Sequence, residues 1–363
     1  MNRFAFIFHP RDESDITGIF PALKVMPRFM LKPLLKYAPP VKLAEIKGIG
    51  YENVQAEGSY IMCPLTAGQI AGLPEPQVIK KIVMAGKAAG QSGAGIIGLG
   101  GYLSVLGEAG TVLADYLDIP VTMGLSYTVA AAIEGLKMAA AAQGNDLSTA
   151  KVTVIGAAGL MGKLYASILA CEAKDLTLSD RNLTELRKLA DRILYDTGMA
   201  AKVRMVDDKV LMNADIIIIT DIQSNEFENI VLGLKPGSLV FDGSAPSLMR
   251  PGTPRLREDI IIMEGSLVEI PGDVQTSYNF GLPDKVIHPC IAETMILALE
   301  KNYTDFSPGY EPDPGQIKKI KRLADKHGFR VSGIVTSGVA VSQGEIPMLG
   351  EYGISRYLVN RAV

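Results

Sequence analysis

The chain has 363 residues, 48% hydrophobic and 21% charged, with a net charge of −3: a globular composition, long enough for a large core and two or three domains. That balance argues against disorder and against a nucleic-acid binder. Three cysteines and three histidines, scattered without pattern, argue against a disulfide scaffold or a structural zinc site and make a reducing cytosol the default.

No cleavable signal sequence opens the chain, because Met1-Asn2-Arg3 leads into only a short apolar run, Phe4–Phe8, that reads as a strand. A first region, residues 1–125, continues with strands at Ser59–Leu65, Gly95–Leu99 and Pro120–Gly124 and a helix over Gln77–Gly90. Within it Lys24, Arg28, Lys32 and Lys36 fall four apart among Phe20, Leu23, Met26, Phe29, Met30, Leu31, Leu34 and Leu35, interrupted by Pro27 and Pro33. Such a basic amphipathic segment suits an acidic carrier protein or an anionic lipid surface, although a solvated charged face is the commoner occurrence. The uncharged stretch Ala88–Gly107 holds seven glycines and three polar residues, and reads as a buried helix end, a strand and a turn rather than a membrane span.

Two glycine-containing segments of this region are candidates for ligand contact. Gly93–Gly101 mimics a nucleotide-binding pattern, but it follows a helix and leads into no amphipathic one. Gly100, Gly101, Tyr102 and Ser104 are expected instead to let backbone approach a substrate, or simply to turn the chain. Gly124-Leu125-Ser126-Tyr127-Thr128 ends a strand and opens a helix, with Ser126 as a cap or, with Thr128, as a substrate or nicotinamide contact.

The second region, residues 126–282, begins with a helix from Ser126 to about Gln143 and a turn at Gly144-Asn145-Asp146. An alternation follows: strand Lys151–Ile155, helix Met161–Cys171, strand Leu176–Ser179, helix Leu183–Tyr195, then strands Val203–Val206, Ala214–Thr220 and Ser238–Asp242. This is the signature of an α/β, doubly wound parallel sheet of Rossmann-like type, and the run Ile216–Ile219 suits a strand buried on both faces. Residues 283–363 read as a mostly helical C-terminal region with a Gly- and Val-containing tail.

Strand Lys151–Ile155 runs into Gly156-Ala157-Ala158-Gly159-Leu160-Met161-Gly162 and then a helix, the context that gives a glycine motif meaning. A tight turn, close backbone approach to a pyrophosphate and a helix N-terminus for the anion are what dinucleotide binding requires, which assigns Gly156, Ala158, Gly159, Leu160, Met161 and Gly162 to a cofactor site. Eighteen residues past Gly162 stand Asp180 and Arg181. A carboxylate there accepts from a ribose 2′-hydroxyl, whereas an arginine pairs with a 2′-phosphate, so the residues leave NADH and NADPH both open. Thr220, at a strand end, and Gly265 complete the candidate cofactor set.

Cys290 follows His288-Pro289 at a helix start, with Ile291, Met295, Ile296 and Leu299 at helical spacing. A thiol at a positive helix end favours thiolate, with His288 in reach as base or acid, which suits a nucleophile; the alternatives are a small buried core thiol and a structural histidine cap.

Several ordered segments resemble the cyanobacterial long-chain acyl-(acyl carrier protein) reductases over most of the chain: Cys290–Glu300, Lys326–Phe329, Leu99–Ser104, Asp146 through Gly162, Asp242-Gly243 and Glu264–Glu269, with a weaker match at Tyr37–Pro40. The resemblance implies NADPH-dependent reduction of a fatty acyl-ACP or acyl-CoA to a fatty aldehyde through an acyl-enzyme on Cys290, chemistry that requires no metal; cysteine usage and the basic segment suggest a cytoplasmic protein, free or peripheral at a membrane. Lys163 and Asp180 depart from the family pattern, the latter bearing on the coenzyme, and the tail after Phe329 is longer. Two other readings stay open: a reductase of a small carbonyl substrate resembling the shikimate or glutamyl-tRNA enzymes, and a non-catalytic cofactor-binding scaffold.

Overall fold

The computed structural model describes residues 2–349 except 52–53, 105, 107–110, 221, 245–247, 249–255 and 308–312, with the side chains of 28, 224 and 225 outside the described set. The chain divides into two compact units: Met1–Thr128 with Glu269–Tyr310 and Lys319–Arg330, and Val129–Val268 with Glu311–Lys318 and Val331–Val363.

The first unit is built on β1 (Asn2–Phe8), whose run Phe4–Phe8 is buried on both faces, as an interior parallel strand requires. It pairs in parallel with β3 (Ala56–Met62) on one side and β4 (Ile96–Leu99) on the other, and β5 (Val121–Thr122) extends the parallel set beyond β4. At the opposite edge β2 (Val41–Ile49) and β13 (Gly272–Thr276) join antiparallel, giving the order β13-β2-β3-β1-β4-β5. A two-residue strand, β14 (Val286–Ile287), precedes the helix Pro289–Leu299. That helix is apolar except for Glu293 and Thr294, is buried at all but one position, and packs against β4, β1 and β3. Its close approach needs a small residue beneath it: a Cβ on Gly98 of β4 would stand 1.9 Å from Thr294 Oγ1.

Among the described residues the second unit holds six parallel strands: β6 (Lys151–Ile155), β7 (Asp175–Ser179), β8 (Lys202–Arg204), β9 (Ile216–Ile219), β10 (Leu239–Asp242) and β11 (Ile261–Met263). Their order, β11-β10-β9-β6-β7-β8, is that of a dinucleotide-binding sheet, with the reversal of strand order falling between β6 and β9. Phe227, Ile230, Val231 and Leu234, on and just after the helix Ser224–Gly233, pack with Ile217 and Ile219 to form its core. A smaller sheet carries β12 (Gly265–Glu269), β15 (Arg330–Thr336) and β16 (Val339–Ser342), the last two antiparallel.

The α/β class and the doubly wound sheet are as expected, and the C-terminal region carries helices as far as His327, as the sequence suggested. Helices Pro289–Leu299 and Pro314–His327 are followed by β15 and β16 where the sequence suggested only a tail, and residues 283–363 are shared between the two units. The physical reason is that these segments complete sheets begun elsewhere: Glu264 N–H donates to Val335 O at 2.7 Å, an interaction between residues far apart in sequence. The glycine-rich stretch after residue 88 resolves into a helix end, β4 and a 3-10 turn at Gly101–Ser104, and no described helix is long and apolar enough to cross a membrane.

Candidate active site

In the first unit, candidate residues follow the C-terminal ends of β1, β4 and β5, the edge at which open parallel sheets place ligands. After β1 comes His9, whose Nε2 accepts the Tyr102 backbone N–H at 3.1 Å while Nδ1 contacts Pro10 O at 2.9 Å, which sets the proton on Nδ1. Burial lowers its pKa and keeps it neutral. Gly101 adopts φ +63°, and a Cβ there would lie 2.7 Å from the His9 ring, so the turn after β4 fits glycine alone. Gly100 packs on the Phe6 ring, and Ser104 Oγ donates to Gly101 O at 2.7 Å. These four sequence-predicted residues therefore form one turn against His9, which sequence reasoning passed over.

After β5, Gly124 (φ +70°) brings backbone against the candidate nucleophile: its Cβ would lie 2.5 Å from Cys290 Cβ. Cys290 is the second residue of its helix and the only one not fully buried. Pro289 starts the helix where a missing N–H costs nothing. His288 stands at the N-cap, where its carbonyl accepts from Ile291 and Ala292 N–H while its ring makes no capping bond. Burial and the nearby Arg11 charge lower its pKa, which leaves a neutral imidazole.

The thiolate expected at this helix end is not the resting state. Burial and the Glu293 carboxylate push the Cys290 thiol up to about 12, against the backbone N–H groups of Cys290 and Ile291, which favour the anion. Desolvation of a charged sulfur outweighs the helix dipole here.

Glu293, unremarked in the sequence, is completely buried. It accepts from the Thr122 hydroxyl, from Tyr127 N–H at 2.6 Å, and from the N–H groups of Gly124 and Ser126. Burial lifts its carboxyl to about 7 despite these donors. Glu293 thus caps the helix Leu125–Ala142, the task expected of Ser126; a carboxylate complements the positive helix end better than a hydroxyl. Ser126 Oγ instead meets Ser307 Oγ at 2.5 Å, and Thr128 Oγ1 donates to Gly124 O at 2.6 Å. The one available signal was a lone charge in an otherwise apolar helix.

In the second unit the glycine turn has the geometry a pyrophosphate needs. Gly156 (φ +77°) leaves room for no side chain, since a Cβ would stand 1.9 Å from Thr220 O. A Cβ on Gly162 would stand 2.2 Å from Gly156 O, so the helix Leu160–Leu169 seats directly on the turn, with Gly159 at its N-cap and Met161 buried. Leu160 and Ala158 line the partly exposed turn. Asp180, at the end of β7, accepts from Ala158 N–H at 3.2 Å and from Asn182 N–H at 3.0 Å, at the place where a ribose would lie. Arg181 is exposed and ion-paired with Glu226. Thr220 is buried, and its hydroxyl is used within the turn, donating to Ile155 O and Gly156 O at 3.1 Å each, so it shapes the site from beneath. Gly265 opens β12, where a Cβ would meet no atom within 4 Å, and nothing ties it to the turn. The residues fit a bound dinucleotide.

Residues 138–231 match the shikimate/quinate 5-dehydrogenase family model. The aminotransferase PigE of Serratia sp. is 26% identical over 302 residues, 82% of this chain; the chain spans 35% of that protein's length. The long-chain acyl-[acyl-carrier-protein] reductase of Synechococcus elongatus is 25% identical over 312 residues, 81% of this chain and 88% of the reductase. Among solved structures, the L-tryptophan dehydrogenase of Nostoc punctiforme aligns over 96% of this chain and 87% of its own at 14% identity, TM-score 0.33. The glycine turn, the strand order and the sequence similarities together support an NAD(P)-dependent oxidoreductase. The sequence similarity to the acyl-carrier-protein reductase, at this identity, is that of a distant relative.

Proposed function

We propose that the protein reduces a fatty acyl thioester, carried on acyl carrier protein or coenzyme A, to the fatty aldehyde with NADPH or NADH, through a thioester on Cys290. The observation that carries this reading is Cys290 itself: the one incompletely buried residue of an apolar helix, packed against Gly124 at the C-terminal edge of a parallel sheet. The similarity to the Synechococcus reductase along 88% of that protein supports it.

In the first step the Cys290 thiol gives up its proton, its sulfur bonds to the acyl carbonyl carbon, and the bond from that carbon to the carrier sulfur breaks, the carrier leaving as a thiol. With the thiol high in pKa, the proton needs a receiver as attack begins. His288, neutral and two residues away, takes that role. The Cys290 N–H, which already lies against the sulfur, is a donor for the developing oxyanion. A dinucleotide held at Gly156–Gly162 would supply a hydride to the acyl carbonyl carbon; the bond from that carbon to the Cys290 sulfur then breaks, the aldehyde leaves, and the sulfur takes back the proton that the first step released.

The shikimate-type reading rests on residues 138–231, which belong almost wholly to the glycine-turn sheet and so speak to the cofactor rather than the substrate. Turnover separates the two. With palmitoyl-CoA and NADPH, the wild type should form aldehyde, Cys290→Ala should lose it by several orders of magnitude, and Cys63→Ala and Cys171→Ala should keep it. Gly159→Val should weaken cofactor affinity strongly while leaving acylation intact. Reduction of a small keto acid by Cys290→Ala at the wild-type rate, with no aldehyde from the thioester, would favour the small-carbonyl reading.

A further inference from the structure

Large apolar side chains exposed singly on a surface are ordinary, whereas a contiguous group is not. Val25, Phe29, Met30, Leu34 and Tyr37 are 89%, 76%, 51%, 44% and 78% exposed, and all lie on the 3-10 turn Pro21–Val25 and the helix Arg28–Tyr37. The helix gives the group a direction. At about 100° per residue, the buried Leu31 and Leu35 lie on one side and fix the helix to its unit. Phe29, Met30, Pro33, Leu34 and Tyr37 then span an arc of about 140° centred roughly opposite. Lys32 and Lys36 occupy the flank between the two apolar sides, and Lys24 is exposed on the preceding turn.

Two apolar sides on one short helix mean that one serves the core and the other does not. The outward side also carries a charge signature: residues 21–37 hold four basic and no acidic side chains, in a chain of net charge −3. Lys32 lies 3.7 Å from Glu13, and Lys36 Nζ lies 5.9 Å from the ring centroid of the outward Tyr37, which puts the Lys36 charge at the rim of the apolar surface.

We propose that the segment Pro21–Tyr37 docks on an anionic lipid surface, with Val25, Phe29, Met30, Leu34 and Tyr37 entering the interface and Lys24, Lys32 and Lys36 meeting headgroup phosphates. A convex helix with outward aromatic and aliphatic residues and a basic flank suits a flat, apolar interior beneath a negative surface. A broad apolar arc flanked by lysines on the outer side of one helix favours a lipid interface over an acidic protein surface. The proposal is independent of the reaction assigned above.

The test uses the full chain and phosphatidylcholine vesicles with and without phosphatidylglycerol. The wild type should sediment with the anionic vesicles and much less with the neutral ones. The double variants Phe29→Ser/Leu34→Ser and Lys32→Glu/Lys36→Glu should each lower partitioning on the order of tenfold or more. Because the chain has no tryptophan, Phe29→Trp supplies a single reporter, whose emission should shift to the blue on anionic vesicles and be quenched by brominated lipid. Wild type remaining in the supernatant, or a Phe29→Trp emission unmoved by vesicles, overturns the proposal. So does a wild-type dimer that the double variants dissociate with no vesicle binding, or binding to an acidic carrier protein alone, since either gives the surface to another occupant.

Discussion

At the residue scale the site depends on two ionisable neighbours whose environments oppose their usual behaviour. Glu293 is lifted to about 7 by burial, and Cys290 to about 12 by burial and by that carboxylate. A carboxyl whose folded pKa lies above its unfolded value holds more protons when folded, so its contribution to stability is full below its ordinary value near 4.5 and is lost as pH rises to about 7. Melting temperatures followed across this window should therefore fall with pH in the wild type, with a limiting slope of about 1.4 kcal/mol per pH unit for one proton. Glu293→Gln should flatten that slope; an unchanged slope would show that another group titrates. The tip of β7 is where the choice of coenzyme is tested. Asp180 already faces the glycine turn and Arg181 is ion-paired with Glu226, an arrangement that favours a free 2′-hydroxyl over a 2′-phosphate. Measurable use of both coenzymes is expected, with Asp180→Ala shifting the kcat/KM ratio toward NADPH; a ratio that does not move removes Asp180 from the ribose. His288, Cys290 and the glycine turn were legible in sequence because each is a local pattern. Glu293 was not, because its partners Thr122 and Tyr127 are 171 and 166 residues away, and the same non-local burial reverses the thiolate expected from the helix end.

At the scale of elements, strands buried on both faces read directly from the chain. Phe4–Phe8 and Ile216–Ile219 are apolar runs with abrupt ends, and Val152–Ile155 is one interrupted only by Thr153. What stayed hidden were strands defined by their partners. In β2, lysines and a glutamate alternate with apolar residues, and β15 and β16 carry glycine and serine and lie where the sequence suggested a tail. The glycines of β4, which imitate a nucleotide motif, are explained by packing: Gly98 admits Thr294 and so seats the helix that carries Cys290. Gly98→Val should then displace that helix at a cost of about 1–3 kcal/mol. Thiol acylation should fall while cofactor affinity stays near wild type, as read by fluorescence titration; loss of both together would mean that the glycine serves general folding.

At the scale of the molecule the glycine turn and the thiol belong to different compact units, the former with a parallel sheet and the latter with a mixed one. The division was only partly legible, because the C-terminal segments return to both units, and sequence order does not reveal which sheet a late strand completes. The separation makes the covalent step testable without the redox step. The central claim is the acyl-enzyme on Cys290, and intact-protein mass spectrometry after incubation with palmitoyl-CoA in the absence of any dinucleotide reads it directly. The wild type should gain the mass of one palmitoyl group, reversibly on adding NADPH, and Cys290→Ala should gain none; an unmodified wild type, or equal labelling of Cys290→Ala, would contradict the account.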